Sequence, residues 1–172
     1  MPRLPLWAAQ ERGSPSVLFT EIGGELRVVA NWRVFCTLVV GRDPARHEAV
    51  IDTGAPTTIF PLAIWRRFAA EIEWLSFADR TPSKPATVGG VTYHYRFGRV
   101  SVRVGGRGGG ELLPPLSVVA QFEQPNPAIP LSQRLTRTIV GLQFGPLEGR
   151  SLVVSPRHAL AERCEAWVTD AP

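Results

Sequence analysis

A single carboxylate, that of Asp52, lies in surroundings that suit acid–base chemistry. Residues 49–60 read AVIDTGAPTTIF, so Asp52 follows a short apolar run and directly precedes a Thr-Gly pair. A carboxylate beside buried apolar residues is costly to remove from water unless hydrogen bonds satisfy it. Thr53 supplies a hydroxyl, and Gly54 leaves the backbone free to turn and present its N–H groups. The pattern predicts a tight turn built around an acidic side chain.

Two further segments follow the acidic turn. Residues 87–91 read TVGGV and lead into the alternating run TYHYRF, which predicts a hairpin with a glycine tip. Residues 138–142 read TIVGL. Together with the Asp-Thr-Gly-Ala turn, these segments resemble the active-site loop, the flap hairpin and the apolar-apolar-Gly segment of the retropepsin-like aspartic peptidases, the single-domain retroviral type. The resemblance extends over most of the chain, from about residue 33 to about residue 154.

The resemblance implies an all-β fold, a closed barrel-like acid-protease half-fold with one short helix, active as a two-fold dimer. Short apolar runs separated by 16 Gly and 16 Pro residues independently favour strands over helices. A chain of 172 residues suffices for one domain, but it is too short for the two-lobed pepsin arrangement with an Asp-Thr-Gly in each lobe. We therefore predict a flexible N-terminal tail over residues 1–15, a retropepsin-like domain over 16–158 and a C-terminal extension over 159–172.

Hydrolysis of a peptide bond by acid–base chemistry needs two carboxylates in different protonation states. One must be ionised to take a proton from the attacking water, and one must be protonated to polarise the scissile carbonyl. Two carboxylates about 3 Å apart meet this need because they share one proton. The chain has one Asp-Thr-Gly. The resemblance therefore implies a homodimeric endopeptidase in which Asp52 of each copy supplies half of the catalytic pair, with no metal and no organic cofactor.

The resemblance also implies roles for the neighbours of Asp52. Thr53 is expected to hydrogen-bond across the two-fold axis to the partner loop, and Gly54 to let backbone N–H groups approach the carboxylates. Ala55 has no hydroxyl to donate to the outer carboxylate oxygen, which favours activity nearer mildly acidic to neutral pH than strongly acidic pH.

The two other segments have expected places beside this loop. The flap consists of Val88, Gly89, Gly90 and Val91, whose glycine tip would close over an extended peptide. The second segment consists of Ile139, Val140 and Gly141, and the glycine would permit close backbone contact beneath the loop. Taken alone, a Gly-Gly pair before an alternating strand is equally typical of an ordinary turn.

Local patterns predict the elements that hold these segments. Residues 34–40 are apolar almost throughout, which indicates a strand buried on both faces. Residues 61–72 begin with Pro and space Leu62, Trp65, Phe68 and Ile72 as one apolar face of a helix that packs on the core. Hairpin turns are expected at residues 23–24 and 97–99. The expected strands cover residues 16–22, 25–30, 34–40, 48–52, 91–97, 99–104, 116–122 and 151–154.

Composition argues against several other classes of function. The net charge is +4, and the basic residues are scattered rather than gathered with aromatic residues, so nucleic acid is not an expected partner. No run approaches the roughly 20 apolar residues that span a bilayer, and the first residues lack a secretory apolar core. These features predict a cytoplasmic protein without a membrane partner. His47, His94 and His158 lack the spacing of a zinc site, and no Gly-x-Ser-x-Gly motif is present.

Two alternatives to the peptidase stay open at this point. Asp52 could simply brace a turn by accepting backbone N–H groups, as many Asp residues do. The chain could also keep the fold and the dimer as a catalytically silent peptide-binding or dimerisation module, because a fold alone does not fix the chemistry.

Overall fold

Strands dominate the architecture. The computed structural model describes residues 3–10, 17–22, 25–30, 32–76, 84–88, 90–156 and 164–170. Strands hold most of the described residues, which confirms the all-β class. The described elements are β1 (Arg3–Pro5), β2 (Trp7–Gln10), β3 (Val17–Ile22), β4 (Glu25–Ala30), β5 (Trp32–Val40), β6 (His47–Ile51), β7 (Thr58–Phe60), α1 (Leu62–Trp65), β8 (Glu73–Trp74), β9 (Lys84–Val88), β10 (Val91–Gly105), β11 (Leu116–Glu123), β12 (Thr138–Val140), β13 (Arg150–Pro156) and β14 (Cys164–Asp170).

Most strands belong to one nine-stranded sheet of mixed direction. Its order is β2-β5-β6-β12-β7-β11-β10-β8, with β9 paired to β10. β12 runs parallel to β6 and antiparallel to β7, and β7 runs parallel to β11. The end of β10 also pairs with β5. β1, β14 and β13 form a separate three-stranded sheet, and β3 and β4 form a two-stranded one. Because β12 lies between β6 and β7, one strand borders both ends of the loop that joins them.

The main core draws on both larger sheets. Leu4 and Val168 of the three-stranded sheet are buried in the same cluster as Leu38 and Val102 of the nine-stranded sheet. The strand expected over residues 34–40 is confirmed within β5, and every residue of 34–40 but Thr37 is buried. Burying this apolar surface stabilises the fold by roughly 25 cal/mol for each Å² removed from water.

The helix predicted over residues 61–72 is shorter than expected. Only α1 is α-helical, and Arg66–Glu71 is a 3-10 helix in which Phe68 leaves helical dihedral angles (φ −123°, ψ 25°). Phe68 is buried, and its ring lies edge-on to that of Phe60 with the centroids 5.5 Å apart. The residue that interrupts the helical conformation, Phe68, is thus the one whose ring packs into the core. No helix in the part of the chain that the structure describes is long and apolar enough to cross a membrane.

The hairpin turn predicted at residues 97–99 is wrong, because β10 continues through Gly98 as one strand of 15 residues. Gly98 pairs with Ala120 of β11 and Trp74 of β8. A Cβ at Gly98 would lie 2.6 Å from the side chain of Ile72. This glycine therefore serves close packing in a strand rather than a turn. The other turn, at residues 23–24, lies outside the described residues, and the flanking strands β3 and β4 are paired.

The flexible tail predicted over residues 1–15 is wrong for residues 3–10. β1 pairs with β14, and β2 pairs with β5. Leu4 of β1 and Leu6, between β1 and β2, are buried, so this segment contributes apolar surface to the core. At the other end, β14 pairs along its length with β13, from Arg150 opposite Asp170 to Pro156 opposite Cys164. The predicted boundary at residue 158 therefore falls between two paired strands.

The thiol of Cys36 is sealed in the core. Cys36 has no exposed surface, and burial raises its pKa to about 12, whereas Cys164 is only half-buried. Because the thiolate is the reactive form, we expect a thiol reagent at mildly alkaline pH to modify Cys164 in the native protein and Cys36 only after unfolding. Thiol counts before and after addition of denaturant check this. Rapid modification of both thiols in the native protein would contradict it.

Candidate active site

Asp52 begins the loop that joins β6 to β7, and β12 secures both ends of that loop. Ile51 at the end of β6 pairs with Val140, and Ile59 of β7 pairs with Ile139. The N–H of Asp52 donates a hydrogen bond of 3.0 Å to the carbonyl of Val140. The chain therefore leaves and re-enters the sheet on either side of one strand, which keeps the two ends of the loop close together.

Backbone N–H groups of the loop itself hold Asp52 in place. The N–H of Gly54 donates to Asp52 Oδ1 at 2.9 Å, and the N–H of Ala55 donates to the Asp52 carbonyl at 3.1 Å. A Cβ at Gly54 would lie 3.3 Å from Oδ1, which is tighter than most Cβ contacts. Asp52, Thr53 and Gly54 are exposed. The carboxylate thus has one fixed oxygen and lies on an open surface of the single chain.

Gly141 brings the segment after β12 into backbone contact with this loop. A Cβ at Gly141 would lie 2.4 to 2.7 Å from backbone atoms of Thr57, where no side chain fits. The N–H of Gly141 donates to Thr58 Oγ1 at 3.4 Å, and the N–H of Leu142 donates to the Ala55 carbonyl at 3.3 Å. The segment that contains Ile139, Val140 and Gly141 therefore lies directly against the Asp52 loop.

A hairpin formed by β9 and β10 lies beside the same loop. Val88 pairs with Val91, and Gly90 lies at the tip. Gly90 has a φ of +80°, a conformation that side chains rarely adopt. Gly89 lies outside the described residues. Thr87 of β9 lines a cavity that Asp52 also lines, so the hairpin borders the space beside the carboxylate.

That cavity has a volume of about 400 Å³, within the range of pockets that bind small ligands. Within the described part of the chain, Asp52 is the one ionisable residue of the lining. A single acidic group therefore faces an otherwise uncharged space. The remaining lining residues are apolar or neutral, namely Gly54, Ala55, Pro56, Thr57, Ile59, Thr87, Gln121 and Ile139.

The predicted site residues divide into two groups. Asp52, Gly54, Ala55 and Ile139 line the cavity. The others that the structure describes surround it without being part of the lining. Val140 and Gly141 lie against the loop, Thr53 is exposed on it, and Val88, Gly90 and Val91 form the end of the hairpin.

Sequence reasoning missed five residues of the lining, which are Pro56, Thr57, Ile59, Thr87 and Gln121. Four of them, all but Gln121, lie within the segments already singled out, residues 49–60 and 87–91, although no role was assigned to them. Gln121 carried a weaker signal, as a polar side chain within the apolar strand sequence LSVVAQFE. Its place at the cavity follows from the parallel pairing of β11 with β7, which no local pattern predicts.

A second apolar cluster lies behind the cavity wall. It contains Ile59, Tyr93, Tyr95 and Ile129, with Ile139 packed against it. Ile59 and Ile139 therefore belong both to this cluster and to the cavity lining. The hydroxyl of Tyr93 donates to a carbonyl in the segment that follows β11, that of Gln133. Burial raises the pKa of both tyrosines. The base of the hairpin is thus anchored next to the cavity.

Neither metal-binding groups in the described part of the chain nor known relatives point to another function. In the described residues, no group of three or more His, Cys, Asp or Glu side chains is placed to hold a metal ion. Comparisons with protein-family models, with curated proteins and with solved structures find no match to this chain. The Asp52 loop, its cavity and the neighbouring hairpin are therefore the features that a function must explain.

Proposed function

We propose that the chain is an aspartic endopeptidase of the retropepsin-like type, active as a homodimer. The observation that carries the proposal is the setting of Asp52. Its carboxylate is the one ionisable group of the described cavity lining, and Gly54 fixes one of its oxygens. A carboxylate that merely braced a turn would not need an adjoining cavity. The all-β arrangement around it is, on this proposal, the half-fold of an acid protease.

The second carboxylate comes from a second copy of the chain. A two-fold axis brings like surfaces together, so the exposed loop of one copy meets the same loop of the other. The exposure of Asp52, Thr53 and Gly54 in the single chain leaves this contact available. Thr53 would hydrogen-bond to the partner loop. The two Asp52 carboxylates would then share one proton, and the apparent pKa values would belong to the pair.

The shared proton gives each carboxylate a different task. The ionised Asp52 takes a proton from a water molecule, whose oxygen forms a bond to the scissile carbonyl carbon. The protonated Asp52 donates its proton to the carbonyl oxygen. As this tetrahedral intermediate breaks down, the carboxyl that took the proton of water gives it to the leaving nitrogen and the C–N bond breaks. The other carboxylate takes a proton from a hydroxyl of the intermediate, so one carboxyl is again protonated and one ionised. The hairpin of β9 and β10 would close over the extended peptide and exclude bulk water.

One observation favours a second candidate, a catalytically silent module that binds peptides or dimerises. Leu142 and Phe144, which follow Gly141, are 44% and 59% exposed. Exposed apolar side chains beside the Asp52 loop suit an association surface whether or not hydrolysis occurs. Hydrolysis of peptides therefore decides between the two candidates, and association alone does not.

The experiment follows hydrolysis of a peptide library and the mass of the protein in solution over one dilution series. Because each active site needs two copies, we expect activity per chain to fall with the fraction of dimer. A pepstatin-type inhibitor should bind and shift the protein toward the dimer, since a ligand that binds only the dimer stabilises it. Full hydrolytic activity from a strictly monomeric chain would refute the two-copy mechanism, and dimers without hydrolysis would favour the silent module.

A further inference from the structure

Gln121 and Thr57 form a hydrogen-bonded polar pair on the wall of the Asp52 cavity. Gln121 Nε2 donates to Thr57 Oγ1 at 2.7 Å, across the gap between β11 and the loop. Both side chains are half-buried and both line the cavity. A partly desolvated hydrogen bond of this kind is more selective than one in water, because a group left unpaired there is costly.

The pair retains hydrogen-bonding capacity. An amide carries one acceptor oxygen and two N–H donors, and a hydroxyl can accept and donate at once. Among the described residues, no other partner engages the Gln121 or Thr57 side chain. The Oε1 acceptor of Gln121 and the O–H donor of Thr57 are therefore available together on one wall. The remaining lining beside Asp52 is mostly apolar, from Ala55, Ile59 and Ile139.

We propose that Gln121 and Thr57 select substrates that place an uncharged amide side chain, that of Asn or Gln, in this cavity. Such a side chain donates to Gln121 Oε1 and accepts from the Thr57 hydroxyl at the same time. A Leu side chain leaves both partners unpaired. A carboxylate side chain is repelled by Asp52 and meets no cation in the described lining. This inference rests on the proposed function, since it assigns the cavity to a peptide side chain.

The test compares peptides that differ at one position at a time among Gln, Asn, Leu, Glu and Lys. At one position the wild-type protein should prefer Gln or Asn over Leu by about 10-fold in kcat/KM, the effect of one or two net hydrogen bonds. Gln121→Met keeps nearly the same volume and removes the acceptor, so this ratio should fall by about 10-fold. Thr57→Val should produce a similar fall, and the two changes together should not be additive because they disrupt one pair.

Gln124→Met is the matched control. Gln124 lies just beyond the end of β11, and its Nε2 donates to the Phe122 carbonyl rather than to a group of the cavity lining. The Gln-to-Leu ratio should be unchanged in this variant. If Gln121→Met and Gln124→Met leave the ratio equally unchanged, the pair only joins β11 to the loop, and the inference is overturned.

Binding measurements separate failure of this inference from failure of the proposed function. The same Gln and Leu peptides are titrated into Asp52→Asn protein, in which hydrolysis does not interfere. Tighter binding of the Gln peptide, lost on adding Gln121→Met, supports recognition even if the wild-type protein hydrolyses nothing. Hydrolysis by the wild-type protein with equal preference for Gln and Leu at every position would overturn the recognition and leave the peptidase intact.

Discussion

Replacement of Asp52 by Asn should lower kcat/KM for peptide hydrolysis by roughly 10²- to 10⁴-fold, the usual contribution of general acid–base catalysis. Asn keeps the size of Asp and offers an amide oxygen to the N–H of Gly54, which now donates to Oδ1 at 2.9 Å. The loop should therefore keep its shape while losing the group that takes and returns the proton. Hydrolysis rates at several pH values, with circular dichroism as a check on folding, measure the effect.

Asp170→Asn is the control for this substitution. Asp170 is exposed in β14 and pairs with Arg150 at 3.3 Å, in the three-stranded sheet and outside the described cavity lining. Hydrolysis should be unchanged in this variant, because the Asp170 side chain is 58% exposed and is not part of the described cavity lining. If Asp52→Asn cleaves peptides as fast as Asp170→Asn, Asp52 is not catalytic.

Mixing the chains tests whether the two carboxylates act together. In an equal mixture of wild-type and Asp52→Asn chains that exchange freely, about a quarter of the dimers contain two wild-type loops. Activity should then fall to about a quarter of that of the same total amount of wild-type protein. Activity that stays at half would mean that each chain works alone.

Gly141→Ala should destabilise the protein by about 3 kcal/mol and also reduce hydrolysis. The new Cβ would lie 2.4 to 2.7 Å from the carbonyl carbon, oxygen and nitrogen of Thr57. These are backbone atoms, so no side-chain rotation relieves the overlap. Either the β12 end or the Asp52 loop must move, and the loop has the fewer strand partners. Urea unfolding monitored by tryptophan fluorescence gives the change in the free energy of unfolding.

Gly110→Ala provides the matched control for Gly141→Ala. A Cβ at Gly110 meets no atom within 4 Å, so this variant has only the cost of its backbone dihedral angles (φ −70°, ψ −140°), which lie outside the regions that side chains favour. Its effect on the free energy of unfolding should be about 1 kcal/mol, well below that of Gly141→Ala. Equal stability of the two alanine variants would show that the contact between Gly141 and the Asp52 loop is looser than the structure describes.

The sequence predicted those elements that depend only on residues close together along the chain. The turn around Asp52 is set by a few consecutive residues, and the buried strand over residues 34–40 by its own apolar run. Both are present in the structure. The hairpin that pairs Val88 with Val91 also follows from a local glycine signal. Whether these features perform hydrolysis is a separate matter that the experiments above decide.

Elements that depend on distant partners could not be predicted in the same way. Gly98 resembles a turn residue until Ile72 is seen 2.6 Å from where its Cβ would be. The N-terminal strand β1 gains its order from β14, at the opposite end of the chain. Gln121 enters the cavity only because β11 pairs with β7. In each case the deciding contact joins residues that are distant in sequence, so local propensity and periodicity cannot predict it.

The hydrogen bond from Tyr93 to the Gln133 carbonyl bears on how the hairpin of β9 and β10 can move. Tyr93 and Tyr95 are buried among apolar side chains, so bending β10 at those positions would disrupt packing. If the proposed function is right, motion of the hairpin would be confined to the few residues on the tip side of Tyr93. So short a moving segment would admit one extended strand of substrate and not a folded domain.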